Sequence, residues 1–262
     1  MTTWPNADEL EAQRQLLEQF RPLAELASRT DALFDKATEA LAEHPKYEAA
    51  TKVGLILLAR LSCDMRVCGM ASSVGYGLQA VALAASMMEI LGALAYVGES
   101  NERAVEWAKH TDRRQTYPKN VRLGIDATLT ALGIHDQASR DDWKKAYEFM
   151  CMAKHANPRL SMLQGLSDLP SGLHHVFGPD TTALGIYLSA EALNRAIEYS
   201  TAAVFIMARR CSDDASQSSL RREALNIRDG LIRLEPLFRS WCNAIKIATT
   251  ATGNATNGVV PG

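Results

Sequence analysis

From Val67 to Met88 the chain carries no charged residue, and the run ends at Glu89 inside AASMMEILGALAY. A stretch this long and apolar has two homes, a bilayer or a protein interior. Its residues are mostly Ala, Ser, Gly and Met, which gain little in lipid, and SVGYG at Ser73 to Gly77 interrupts it. Glu89 follows soon after, and a carboxylate at mid-span costs about 2.5–3.5 kcal/mol on insertion. The sequence therefore predicts no membrane span. It predicts a buried hairpin of two core helices, in which Gly69, Ser73 and Gly77, spaced by four, let neighbouring backbones approach closely.

That hairpin sets the fold class. Apolar residues recur at three and four along most of the chain and β-branched alternation is absent, so the expectation is an all-α, single-domain helical bundle of about eight helices. With 262 residues, 47% of them hydrophobic, there is material for one substantial core. Asn6 or Asp8 can cap a first helix, and Pro22 suits the first turn of a second that stops at His44-Pro45. A third helix is expected from about Tyr47 to Ser72, and a fourth from the SVGYG turn to about Gly98. Short helices follow within 101–114 and 119–132, and Ser139 with Asp142 resembles a capping box opening the next. A long apolar helix is expected from about Thr182 to Arg210, then a polar SDDASQSS linker, then a last helix from about Ser219 to Ile247 with a kink at Pro236. Residues 1–45 are expected to pack as N-terminal helices on a core spanning 46–248, with 249–262 a disordered tail.

Charge and cysteine usage narrow the setting. The formal net charge is −2, so no overall basic bias draws the chain to a nucleic-acid backbone. The five cysteines are odd in number and form no C-x-x-C pair, and MTTWPNADELEAQ lacks the basic and apolar regions of a signal peptide, which together point to a cytoplasmic protein.

Few residues carry a chemical signal. Glu89 is the only charge between Val67 and Gly98 and needs either water or a partner, for which Arg60, Arg66, Lys154 and His155 are the candidates. In AYEFMCMAKHANP, His155 lies four residues after Cys151 and eight after Tyr147, so helical spacing puts all three on one face, and a histidine there can serve as acid or base. The same run also makes an ordinary helix end, with cationic side chains over the last carbonyls, Asn157 tolerant of a left-handed turn and Pro158 preventing continuation. Arg103 and His110 match the loose Arg-x(4–6)-His spacing of HEPN ribonucleases, although the spacing is short enough to arise by chance and the next residue is Ala104. His174 and His175 are adjacent and lack metal-ligand spacing, so no metal or cofactor is expected. The loop 157–183, rich in Gly and Pro, is long for a compact domain, and such loops tend to be functional.

GYGLQAVALAASMMEI and YEFMCMAKHANP together resemble two elements of a family of uncharacterised, all-helical, mostly bacterial proteins. There a Gly-containing turn leads into a Ser-x-x-Glu helix, matched here by Ser86 and Glu89, and a later Tyr-containing helix ends in a His motif, matched by Tyr147 and His155. The resemblance covers roughly residues 50–165. It implies a polar centre of Glu89, Tyr147 and His155, from which one member is missing, because Ala85 stands where the family has Arg. That family is similar to HEPN-type bundles, which implies phage-defence or toxin–antitoxin settings. The readings carried forward are an interaction or sensing module with a protein partner, a metal-independent ribonuclease acting on RNA, and a small-ligand binder with a pocket under the 157–183 loop. A homodimer is the expected alternative to a monomer.

Overall fold

The computed structural model describes residues 6–42, 48–110, 118, 120–155, 166–169, 172–175 and 178–256. Its α-helices are α1 (Ala7–Ala42), α2 (Ala49–Ser73), α3 (Gly77–Val97), α4 (Asn101–Lys109), α5 (Val121–Ala131), α6 (Gln137–Lys154), α7 (Ala183–Met207), α8 (Asp214–Arg233) and α9 (Glu235–Thr256). A 3-10 turn, Ala208–Arg210, continues α7. Between α6 and α7 lies one antiparallel hairpin, β1 (Leu166–Leu169) with β2 (Gly172–His175), pairing Leu166 with His175. The architecture is the expected all-α, single-domain bundle.

The uncharged run forms the end of α2 and most of α3. Among the described residues, α3 is the helix long and apolar enough to cross a membrane, and 67% of its apolar window is buried inside the protein. Its main neighbours are α2, α5, α6 and α7, with a smaller contact from α4, and its surface is apolar on almost every side. A helix surrounded in this way cannot hold large side chains all round, and its small residues are where other backbones come closest. A Cβ on Gly92 would lie 3.0 Å from Gly124 Cα, and one on Gly77 would lie 2.8 Å from Ser189 N. These crossings bring α5 and α7 onto α3. The second centre of the core is α7, with Leu188, Ala196, Ile197, Tyr199, Val204 and Ile206 all buried.

The SVGYG turn does more than connect α2 to α3. Gly75 has a φ of 86°, a left-handed conformation that side chains other than glycine rarely adopt. Its carbonyl accepts the Asp180 N–H at 2.9 Å, and the Asp180 carboxylate in turn accepts the Thr182 N–H and hydroxyl just before α7. Tyr76 donates its hydroxyl to buried Glu9 at 2.6 Å, while Glu9 and Asn6 exchange reciprocal bonds that cap α1.

Several boundaries differ from the sequence expectation. α1 is one continuous helix with Pro22 inside it, not two. The missing N–H leaves the Glu18 carbonyl without its helical donor, but Glu18 is exposed and water can serve it, and Leu16, Phe20, Leu23 and Leu26 are buried on the opposite face. α6 begins at Gln137, two residues before Ser139, because Asp136 is its cap and accepts the Ser139 N–H at 2.8 Å. The SDDASQSS linker is mostly helix, with Asp213 capping α8 through the Ser216 N–H. The break near Pro236 is real: α8 stops at Arg233, and Pro236 falls in the first turn of α9. The backbone of α9 runs to Thr256, into the segment expected to be disordered. Residues Asn157 and Pro158 of the helix-end reading lie outside the described residues.

Two measurements check this packing. Gly69→Ala should stabilise the protein by up to about 1 kcal/mol through helix propensity, since its Cβ would sit an ordinary 3.8 Å from Leu193 Cδ1. Gly92→Ala should instead destabilise by about 1–3 kcal/mol, because its new atom meets backbone; chemical denaturation reads both. Burial pushes the Cys68 thiol up to about 12, so a thiol reagent at neutral pH should modify exposed Cys63 and spare Cys68 until the chain unfolds. The unfolded chain ionises this thiol near its ordinary pKa of about 8.5 while the folded chain holds it neutral. Its contribution to stability is therefore complete below that pH and is lost as pH rises toward about 12.

Candidate functional site

Glu89 leaves the buried side of α3 where α6 crosses it, and two side chains from α6 meet its carboxylate. Tyr147 donates its hydroxyl to Oε1 at 2.7 Å, and Lys154 Nζ donates to Oε2 at 2.6 Å. The pair is half-buried, with Lys154 27% and Glu89 19% exposed. Burial first, then the Cys151 thiol and the Glu89 carboxylate, push the Tyr147 phenol above its ordinary pKa, so Tyr147 stays a protonated donor. Chemically this is a carboxylate with a donor on each oxygen. It fastens α6 to α3 and supplies no histidine for proton transfer.

The structure thus brings together Glu89 and Tyr147 of the expected polar centre and adds Lys154. His155 is exposed in the turn after α6, and its backbone N–H donates to the Cys151 carbonyl at 2.9 Å. Arg60 and Arg66, the other candidate partners of Glu89, bond Asp64 and Asp31. Ser86 donates back to the Ala82 carbonyl within its own helix. Arg103 is held by Glu99, and its guanidinium lies 4.1 Å from the centroid of the Tyr96 ring, while His110 ends α4 with its N–H on the Trp107 carbonyl. Among the described residues no group of His, Cys, Asp and Glu is placed to hold a metal.

The feature that the sequence did not signal is an open-mouthed cavity of about 410 Å³ lined by the turn after α5, the start of α6, and the facing sides of α7 and α8. Trp143 and Phe205 form its aromatic walls, Leu132 and Ile134 a third side, and Thr201 and Ala202 part of the buried floor. Trp143 packs against buried Tyr199, with ring centroids 5.7 Å apart. The Arg221 guanidinium lies over the Phe205 ring, 5.0 Å from its centroid. No family model, curated protein or solved structure matches the chain. What the cavity can do therefore rests on its own chemistry.

Ionised groups enter the cavity at two depths. At the floor, Arg195 is clamped between two carboxylates of its own helix, Nε to Glu191 at 2.7 Å and NH1 to Glu198 Oε2 at 2.8 Å. Burial alone would lower its pKa, yet Glu198 and Glu191 outweigh that and hold it above the ordinary arginine range. At the mouth sit Asp142 and Arg228, both exposed, and no ion pair holds Arg228 among the described residues. Trp143 on the cavity wall and Tyr147 and Lys154 at the Glu89 site fall four and eleven residues apart on α6, which puts both sites on one helical face.

A double-mutant cycle tests the Glu89 site as a fastening. Glu89→Gln and Lys154→Met should show a coupling of about 1–2 kcal/mol by urea denaturation, above the few tenths expected for an exposed pair such as Glu11 and Arg14. A coupling no larger than that of the exposed pair would remove the assignment.

Proposed function

We propose that the chain is a sensing module that binds a small organic ligand in the cavity between α5, α6, α7 and α8. The observation that carries this reading is the cavity itself. Its volume of about 410 Å³ falls within the range of about 300–1,000 Å³ typical of small-molecule sites. Its lining has the composition of such a site, with aromatic and aliphatic walls and a few charged groups placed to orient a guest. The residues lining it belong to α6, α7, α8 and the turn after α5, and most of the 157–183 loop, under which the sequence placed a pocket, lies outside the described residues. An enzyme reading has less support: the Glu89 carboxylate that a ribonuclease would use with His155 is turned to Tyr147 and Lys154.

Ligand binding is read through stability, because a compound that binds only the folded state raises the unfolding midpoint. At a concentration about a hundredfold above Kd it adds about 2.7 kcal/mol, or roughly 5–10 °C in a protein of this size. Screening the purified protein against a chemically varied fragment library should give such shifts, and Ala202→Leu, which fills the floor, should abolish them while leaving the helical circular dichroism unchanged. A library that shifts neither protein would sink the reading.

A further inference from the structure

We infer that the cavity selects an organic cation, an amine or quaternary ammonium group carried on a flat apolar body, with the charged end at Glu198 and the body along Trp143. The inference rests on the ligand-binding reading and adds the class of guest. It begins with the charges at two depths. Asp142 and Arg228 at the mouth are exposed, Asp142 pairs with exposed Lys145 at 3.8 Å, and solvent screens all three strongly. The floor does not cancel, because a single guanidinium, Arg195, serves both Glu191 and Glu198. The three side chains are 29%, 16% and 29% exposed, in the order Arg195, Glu191, Glu198, so the surplus negative charge sits where water screens it weakly.

The surplus faces the cavity through Glu198. Glu191 lies on the other side of Arg195, lining a separate groove with Tyr187 and Phe238, whereas Glu198 lines the cavity itself. Arg195 uses Glu198 Oε2, and Oε1 accepts no hydrogen bond among the described residues. A carboxylate oxygen without a protein donor, in a cavity that Trp143 also lines, matches an ammonium group, which gains a charge-assisted contact from the carboxylate and attraction to the indole face together. Trp143 is the aromatic that fits this role. Phe205 already carries the Arg221 guanidinium on one face, which makes it an apolar wall for the ligand body. An anionic guest would meet the opposite field at Glu198: among the described residues lining the cavity, the neighbouring cation Arg195 is already engaged by two carboxylates and Arg228 at the mouth is exposed, while Arg221 is turned to the Phe205 ring.

A matched probe series tests the class of guest. Isothermal titration of the full chain with 2-phenylethylamine, benzyltrimethylammonium, 2-phenylethanol and 3-phenylpropionate varies charge while holding the body nearly constant. The two cations should bind about tenfold or more tightly than the alcohol and the acid. In Glu198→Gln that preference should fall to within about twofold, with affinity for the alcohol retained. The wild-type series needs no variant to fold, and Asp142→Asn at the exposed mouth should change the preference by less than about twofold. Equal or tighter binding of the alcohol or the acid would overturn the cation assignment while leaving the cavity as a ligand site. Absence of binding by every probe, combined with a fragment library that gives no shift, would overturn both.

Discussion

The whole bundle depends on burying α3 on nearly all sides. A helix without charges for most of its length has no solvent face to offer, so α2, α5, α6 and α7 must surround it. Four neighbours around one rod leave little radial room, which is why glycine meets glycine at Gly92 and Gly124 and glycine meets backbone at Gly77. Glu89 is the exception that this arrangement tolerates. Its carboxylate emerges at the α6 crossing, where Lys154 neutralises it and Tyr147 completes its hydrogen bonding, and the cost of holding a charge beside an apolar core is offset locally.

α7 solves a related problem differently. It is almost as buried as α3, yet carries Glu191, Arg195 and Glu198 within two turns. Three ionised side chains on an apolar helix are sustainable because they bond one another at spacings of three and four, with Arg195 and Glu198 lining the space between α6 and α8. That space is the cavity. The fastening at Glu89 and the wall at Trp143 are both borne by α6, so the geometry of one constrains the other through an unbroken helix.

Much of the fold was legible because the signals are local. The SVGYG turn, the extents of α2 and α3, and a short helix within 119–132 all follow from composition within a few residues. Pro22 misled because a proline weighs against a helix locally, while the burial of Leu16, Phe20, Leu23 and Leu26 that overrides it is tertiary. The polar site was half legible. A lone Glu89 demands a partner, and Tyr147 and Lys154 were on the right helix, but the direction of His155 at a helix end depends on the terminating turn. The cavity was not legible at all, since its walls come from residues between Leu132 and Arg228 on three helices and a turn, and no short motif encodes a gap between them.

The turn at Gly75 and Tyr76 bears on the entropy of assembling the chain. Its two partners are distant in sequence, Glu9 at a separation of 67 residues and Asp180 further away on the other side. Contacts of that span close large loops, so this junction carries a large loop-closure entropy even though the turn itself is short. The first residues of α1 and the entry to α7 are thus locked at the same place and by the same few groups. Loss of the first turn of α1 would strip Tyr76 of its acceptor and loosen the seam that joins the beginning of the chain to its middle.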